Sequence, residues 1–318
     1  MTYIGVDVSK LTIDCAWFFE GRWHHHRYAN SLKGFKQALS AAPDGSHWVM
    51  EATGTYHQRL SYFLHEQQCR LSVVNPLSIK RYGEMKLRRA KTDKADAKLI
   101  AEYGMSEAPK VWRPTSPEIA KLKQLEHWRQ ELMTTYTRLT NQLEAMNHSV
   151  YCSESVVGLI GEQLKLCKQQ IKACEQELQQ SVQKWEGELY QRLLSIPGIG
   201  PKTACHLIIL TDGFRRFDTV KQLIAYVGLA SRAHSSGTSI AGSRAIVKSG
   251  TNVLRKLLYL CSWTASKTNP GCRQLSERLL VNGKPGKLVC VAVASKLLRQ
   301  AFAVAKSQRS FDSELCMG

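Results

Sequence analysis

The sequence predicts an α/β domain followed by helices, a chain of class α/β plus α. Three observations lead there. Short β-branched runs alternate with helical spacing over residues 1–107, a Leu/Gln/Glu/Lys-rich helical pattern fills roughly 116–185, and the remainder reads as basic helices broken by Gly/Pro and Ser/Gly turns. At 318 residues the chain has length for about two domains or more. The expected boundaries are 1–108, 109–190 and 191–318.

The first element is Tyr3-Ile4-Gly5-Val6-Asp7-Val8, an apolar run that feeds into one carboxylate. Strand character resumes at Leu11–Phe19, so the pair reads as a hairpin with Asp7 in a central strand. A carboxylate there is costly to desolvate unless a cation or hydrogen bonds offset it. The plainer reading is a strand-end Asp accepting turn amides. Arg22–Asn30 suggests a third strand, and Ser31–Leu39 shows helical spacing behind a cap residue. His47–Met50 is a short buried-strand pattern with Glu51 at its end, followed by a turn and a helix through Leu60, Phe63 and Leu64. Leu71–Val74 is another strand, closed by Asn75-Pro76, and a basic helical stretch is expected from Ile79 to about Tyr103. Strands interleaved with helices make a mixed sheet domain.

Asp7 and Glu51 therefore stand at strand ends, where open α/β sheets carry their ligand groups. Asp93 and Asp96 are three apart and share one helix face. Alone, that heptapeptide reads as a solvated Lys/Asp face. Together, the four carboxylates are hard oxygen donors of the kind that hold two Mg²⁺ ions about 3.5–4 Å apart and clamp a phosphodiester.

Composition supports a polyanionic partner. Net charge is +18, and residues 191–318 hold 19 Lys/Arg against 5 Asp/Glu, while residues 108–190 balance at 10 against 10. A basic folded region fits nucleic acid better than a membrane surface. No apolar run approaches the length of a membrane span and no basic-then-apolar leader precedes Tyr3, so a cytosolic protein is expected. The ten cysteines form no Cys-x-x-Cys and read as reduced thiols. His24-His25-His26 reads as a solvated run.

In the middle third, Ile119, Leu122, Leu125, Leu132, Tyr136, Leu139, Leu143 and Met146 recur at three- and four-residue steps. After a break near 148–155, Leu159 to Val182 resume the pattern, giving a helical hairpin or coiled coil for spacing or dimerisation. Next, Pro197-Gly198-Ile199-Gly200-Pro201-Lys202 joins two helices like a helix-hairpin-helix, whose glycines would let helix N-terminal amides reach a phosphate. An ordinary αα-turn is the plainer reading. Ser235–Arg244 is a Ser/Gly loop flanked by Arg244, Lys248 and Arg255; it reads either as a flexible loop or as a source of a hydroxyl nucleophile.

The set Gly5-Val6-Asp7, Glu51-Ala52-Thr53-Gly54-Thr55-Tyr56, Asn75-Pro76, Lys91-Thr92-Asp93-x-x-Asp96-Ala97, Pro197-Gly198-Ile199-Gly200 and Ser236-Gly237-x-Ser239 resembles the Piv-type DEDD insertion-sequence transposases. Members of that family look like bridge-RNA-guided DNA recombinases. The resemblance implies a RuvC-like, ribonuclease-H-type N-domain, a coiled-coil linker and a C-terminal transposase domain. It also implies a Mg²⁺-binding tetrad of Asp7, Glu51, Asp93 and Asp96, with Ser236 as the nucleophile that becomes linked to DNA. Donor and target DNA, a guide RNA and a homodimer or homotetramer would be the partners. Phosphate contacts would fall to Gly198, Gly200, Lys202, Arg244, Lys248 and Arg255. One departure is Ala241 before Gly242, where the family commonly has Arg. A water-using junction nuclease, an actin-like ATPase and a non-enzymatic nucleic-acid-binding protein are the rival readings.

Overall fold

Alternation of buried apolar residues makes Tyr3–Val8 a strand, β1, with Ile4, Val6 and Val8 pointing to one side of the sheet and Tyr3, Gly5 and Asp7 to the other. The computed structural model describes residues 1–52, 54–87, 92–230, 250 and 252–313, and the chain divides into two units, Met1–Pro114 and Thr115–Gly318. As the sequence predicts, the first is mixed α/β and the second helical.

In the first unit β1, β2 (Thr12–Phe19) and β3 (Arg22–Ala29) form an antiparallel meander. Strands β4 (His47–Glu51) and β5 (Arg70–Val74) run parallel to β1, and the order β3-β2-β1-β4-β5 puts β1 in the centre. On the face of Ile4 and Val6, Phe35 and Ala38 of α1 (Leu32–Ala41) and Leu60, Phe63 and Leu64 of α2 (Gln58–Glu66) complete a core around Trp48. On the opposite face, Val49 and Val74 pack with Ile79 and Tyr82 of α3 (Pro76–Met85) and Leu99 and Ile100 of α4 (Asp93–Glu107).

The single helix expected from Ile79 to Tyr103 is instead two. Helix α3 ends at Met85, and α4 starts afresh because Thr92 is an N-cap: its hydroxyl accepts from the Ala95 amide at 3.2 Å. This break places Asp93 and Asp96 in a helical first turn.

The second unit opens with α5 (Pro117–Asn147) and α6 (Glu154–Leu194), the hairpin that the apolar spacing predicts. Leu132 packs with Cys167 and Cys174, and Ile119 and Leu122 join the cluster of Leu178 and Val182. The seam residues Leu132 and Leu178 are thus buried within one chain, in the hairpin and not in a dimer contact. Helix α6 bends at Glu186, whose backbone leaves helical geometry. Helices α7 (Pro201–Thr211), α8 (Val220–Val227), α9 (Asn252–Thr268), α10 (Pro270–Val281) and α11 (Gly286–Ser307) build the rest. Contrary to expectation, α11 is by length and composition apolar enough to cross a membrane; its Val293, Leu297, Leu298 and Ala301 are spent on the core. The nine described cysteines are free.

Where α5, α6 and α7 meet, the apolar core encloses charge. Glu126 and Arg129 are almost fully buried, and Arg129 Nε donates to Glu126 Oε2 at 2.8 Å. The Arg129 Nη1 also stands 3.6 Å from Glu175. His206 Nδ1 donates to the Lys202 carbonyl at 2.7 Å, and its Nε2 lies 3.0 Å from Glu126, in ion-pair reach but not aligned as a hydrogen bond. Burial pushes the Glu126 carboxyl up, and the Arg129, His206 and Gln130 contacts outweigh it, holding it at about 2. Removing one partner of a buried pair costs about 3–5 kcal/mol. Glu126→Gln should therefore destabilise the second unit by that order in urea unfolding at pH 7. The stability of a depressed carboxyl is present above its unfolded value and lost as pH falls towards 2, so the difference between Glu126→Gln and the native chain should shrink in acid. A loss at pH 7 under about 1 kcal/mol would show that the network adds little.

Candidate functional site

The site is built by the approach of α4 to β1. Gly5 is the reason the approach is close: a Cβ there would lie 2.1 Å from the Ala97 carbonyl oxygen and 2.2 Å from the Ala101 amide. Gly104, two turns on, faces the Tyr3 ring in the same way, with a Cβ there 2.9 Å from that ring. Small residues on α4 thus seat it on the sheet, and its first turn ends beside Asp7. Asp93 and Asp96 open that helix, where the amide ends of the helix favour negative charge. The mild repulsion expected between them is set against this helix-end attraction.

Strand register supplies the other carboxylates. Val6 pairs with Met50 in the parallel β1–β4 ladder, and the next step brings Asp7 beside Glu51 on the α4 side. In the β1–β2 hairpin Asp7 stands directly opposite Asp14. Asp14 is nearly inaccessible at 2% exposure and was missed by sequence reasoning. Its partners were missed too: His25 Nε2 lies 2.8 Å away, and Arg27 Nε donates to both its oxygens at 3.1 and 3.0 Å. Arg27 Nη2 reaches on to Asp93 Oδ2 at 2.7 Å, so one guanidinium ties β2, β3 and α4 together. Hairpin counting from the Asp7 register would have found Asp14; nothing in the sequence marks Arg27.

The result is a concentration of negative charge around one half-buried group. Burial first, then Asp96, Asp93, Asp14 and Glu51, push the Asp7 carboxyl from 3.8 to about 6. The other three predicted carboxylates therefore all act electrostatically on Asp7. They do not form a closed coordination shell: among the described residues no three His, Cys, Asp or Glu side chains are gathered to hold a metal ion. Their chemistry still suits a divalent cation, because these are hard oxygen donors and the neighbouring acids, after burial, add to the rise of the Asp7 carboxyl that a positive charge would oppose.

The second unit holds the remaining predicted residues. Ser236, Arg244 and Lys248 lie outside the described residues. Gly198 has φ +101°, and a Cβ on it would sit 2.6 Å from the Ala265 Cβ, so its lack of a side chain serves packing against α9. Gly200 is the N-cap of α7 and faces open space. Lys202 forms an ion pair with Glu175, and Arg255 donates to the Val227 carbonyl at 3.1 Å and to Asn252 at 3.4 Å. These two cations therefore have partners within the chain.

Comparison with known proteins decides the family. A transposase family model of the IS110 DEDD type matches residues 4–151, and one described as transposase of the IS116/IS110/IS902 family matches residues 190–277. The pilin gene-inverting protein of Moraxella bovis is 33% identical over 99% of this chain and 98% of its own length. The chain belongs to the IS110-type DEDD transposase family. The pilin gene-inverting protein of Moraxella lacunata is 32% identical over the same shares, and the transposase for insertion sequence element IS1111A of Coxiella burnetii is 25% identical over 97% of this chain and 90% of its own. The first family match contains Asp7, Glu51, Asp93 and Asp96, and the second contains the Ser236 loop.

The lifted Asp7 carboxyl gives this transposase a pH signature. A carboxyl raised on folding binds more protons folded than unfolded between 3.8 and about 6, so stability falls as pH climbs through that window. In metal-free buffer at pH 7.5, Asp7→Asn should raise the melting temperature by on the order of 5 °C. The gain should vanish below about pH 4, where the native carboxyl is protonated in both states. A lower melting temperature for Asp7→Asn at pH 7.5 would contradict the crowding.

Proposed function

We propose that this transposase cuts and exchanges DNA strands through the acidic cluster on β1, β4 and α4 and a covalent phosphoserine at Ser236. The observation that carries the reading is the Asp7 carboxyl, held at about 6 amid four other acids at the centre of the sheet. Asp7, Glu51, Asp93 and Asp96 would hold Mg²⁺. When bound, Mg²⁺ neutralises charge developing on phosphate oxygens and lowers the pKa of a coordinated hydroxyl. Arg27, which donates to both Asp14 and Asp93, would position the Asp93 edge of that set.

In the covalent step the Ser236 oxygen forms a bond to a DNA phosphorus, the bond from that phosphorus to the leaving sugar oxygen breaks, and that sugar oxygen takes up the proton that the serine hydroxyl gives up. Exchange follows when a second strand's hydroxyl attacks the phosphoserine and releases the serine. A serine hydroxyl is a weak nucleophile at neutral pH and needs such activation. Arg244, Lys248 and the open N-terminus at Gly200 would hold phosphates, in a DNA partner pair selected by a structured guide RNA. Joining two DNAs takes several cuts, so the active form would be a homodimer or homotetramer in the cytosol.

Trapping the reaction and mapping the DNA-bound peptide tests this. The expected result is attachment at Ser236, lost in Asp7→Asn, Glu51→Gln, Asp93→Asn and Asp96→Asn, with DNA affinity in these four within about twofold of native because the basic surface is untouched. Cut DNA with no protein adduct would replace the reading with a hydrolytic junction nuclease. Binding without any cleavage would replace it with a non-enzymatic DNA-binding role.

A further inference from the structure

Helices α10 and α11 and the segment that follows α11 enclose a cleft of about 870 Å³ in the second unit. Apart from Leu275, its lining lies beyond residue 277, where the second family match ends. Lys296, Arg299, Ala303 and Ser307 recur at three- and four-residue steps and so line one face of α11 along the cleft. The other face of α11 is buried in the core through Val293, Leu297 and Ala301. Across the cleft, α10 contributes Arg278. The chain then folds back: the Phe311 amide donates to Ser195 Oγ at 2.8 Å, and this anchor sets Arg309 and Phe311 along the rim.

The chemistry of this hollow is lopsided. Arg278, Lys296, Arg299 and Arg309 line it, against Asp312 as the carboxylate among the described lining residues. Cations gathered over low-dielectric walls focus a positive field and draw in an anion. One side is apolar, with Val304 buried and Phe311 half-buried. A plain phosphate would use the cations and leave the aromatic wall idle. A duplex presents paired bases and a convex phosphate ridge, and it cannot fill a concave hollow. An unpaired nucleotide uses both sides, because a base stacks on an aromatic ring while its phosphates meet the cations.

We propose that this cleft holds an unpaired nucleotide of a single-stranded segment, base against Phe311 and Val304, phosphates against Lys296, Arg299, Arg278 and Arg309. The choice of nucleic acid rests on the DNA-recombination reading; the cleft's shape and charge do not. DNA and RNA offer the same stacking base and phosphates, so the experiment separates them.

Full-length protein is titrated by fluorescence anisotropy against a labelled single-stranded DNA, the same sequence as RNA, and a blunt DNA duplex. The Lys296→Ala/Arg299→Ala chain should bind the preferred single strand about tenfold more weakly, with a salt slope smaller by roughly 1.4 for two lost phosphate contacts. Phe311→Ala should also lose about tenfold. Phe311→Leu, which keeps apolar bulk and so guards against a folding defect, should lose affinity without losing thermal stability. Duplex affinity should change less than twofold in all three. The tighter of the two native single-strand curves identifies the source. Equal losses on duplex and single strand would overturn the proposal in favour of general electrostatics, and unchanged single-strand binding would overturn it outright. In both cases native duplex binding persists, whereas a native chain that binds none of the three probes would overturn the DNA reading itself.

Discussion

The seat of α4 on β1 is the constraint on which the first unit depends. Gly5 has no Cβ, and the Ala97 carbonyl and Ala101 amide occupy the space one would need. Ala97, Ala101 and Gly104 then let the helix lie close along the central strand. The direction of α4 follows from its start at Thr92, so the amide end of the helix, with Asp93 and Asp96, is the end that meets Asp7. A larger residue at position 5 would lift the helix and separate helix acids from strand acids. The geometry of a prospective chemical site thus rests on a missing methyl group.

Crowding acids on a sheet face is costly, and the unit meets that cost in two ways. Arg27 neutralises Asp14 and Asp93 with one guanidinium, and the first turn of α4 supplies amides to its own acids. What remains is concentrated at Asp7, whose carboxyl is held at about 6. The second unit handles buried charge differently. Its Glu126–Arg129 pair is closed by hydrogen bonds, and the carboxyl falls to about 2. At Asp7 burial and neighbouring acids act in the same direction, whereas at Glu126 the hydrogen-bonded partners outweigh burial, which separates a candidate reactive site from a structural network.

Much of this was legible in the sequence, for reasons that are local. β-branched runs and cap residues located all five strands and placed Asp7 and Glu51 at strand ends, and three-residue spacing put Asp93 and Asp96 on one face. What the sequence hid depends on pairing between distant residues. Asp14 becomes part of the site only through hairpin register, and Arg27 only because β3 carries its side chain across β2 to α4. The apolar seam at Leu132 and Leu178 looks the same whether it meets another chain or its own hairpin partner, and here it meets the latter. Gly198 carries the signature of a phosphate turn, yet the neighbour it admits is Ala265. The Thr92 cap was overlooked because the surrounding Lys and Arg residues read as one continuous basic helix.

The acids that the α4–β1 approach gathers around Asp7 are proposed to form a divalent-cation site. Anomalous diffraction from crystals of the full chain grown with Mn²⁺ tests it most directly, because the signal locates the ion without reference to activity. Expected is an anomalous peak bounded by carboxylates of the Asp7, Glu51, Asp93 and Asp96 set, with oxygens within about 2.3 Å of the ion. A crystal whose ordered Mn²⁺ lies only elsewhere, for example at His24–His26, with the acid face empty, would contradict it.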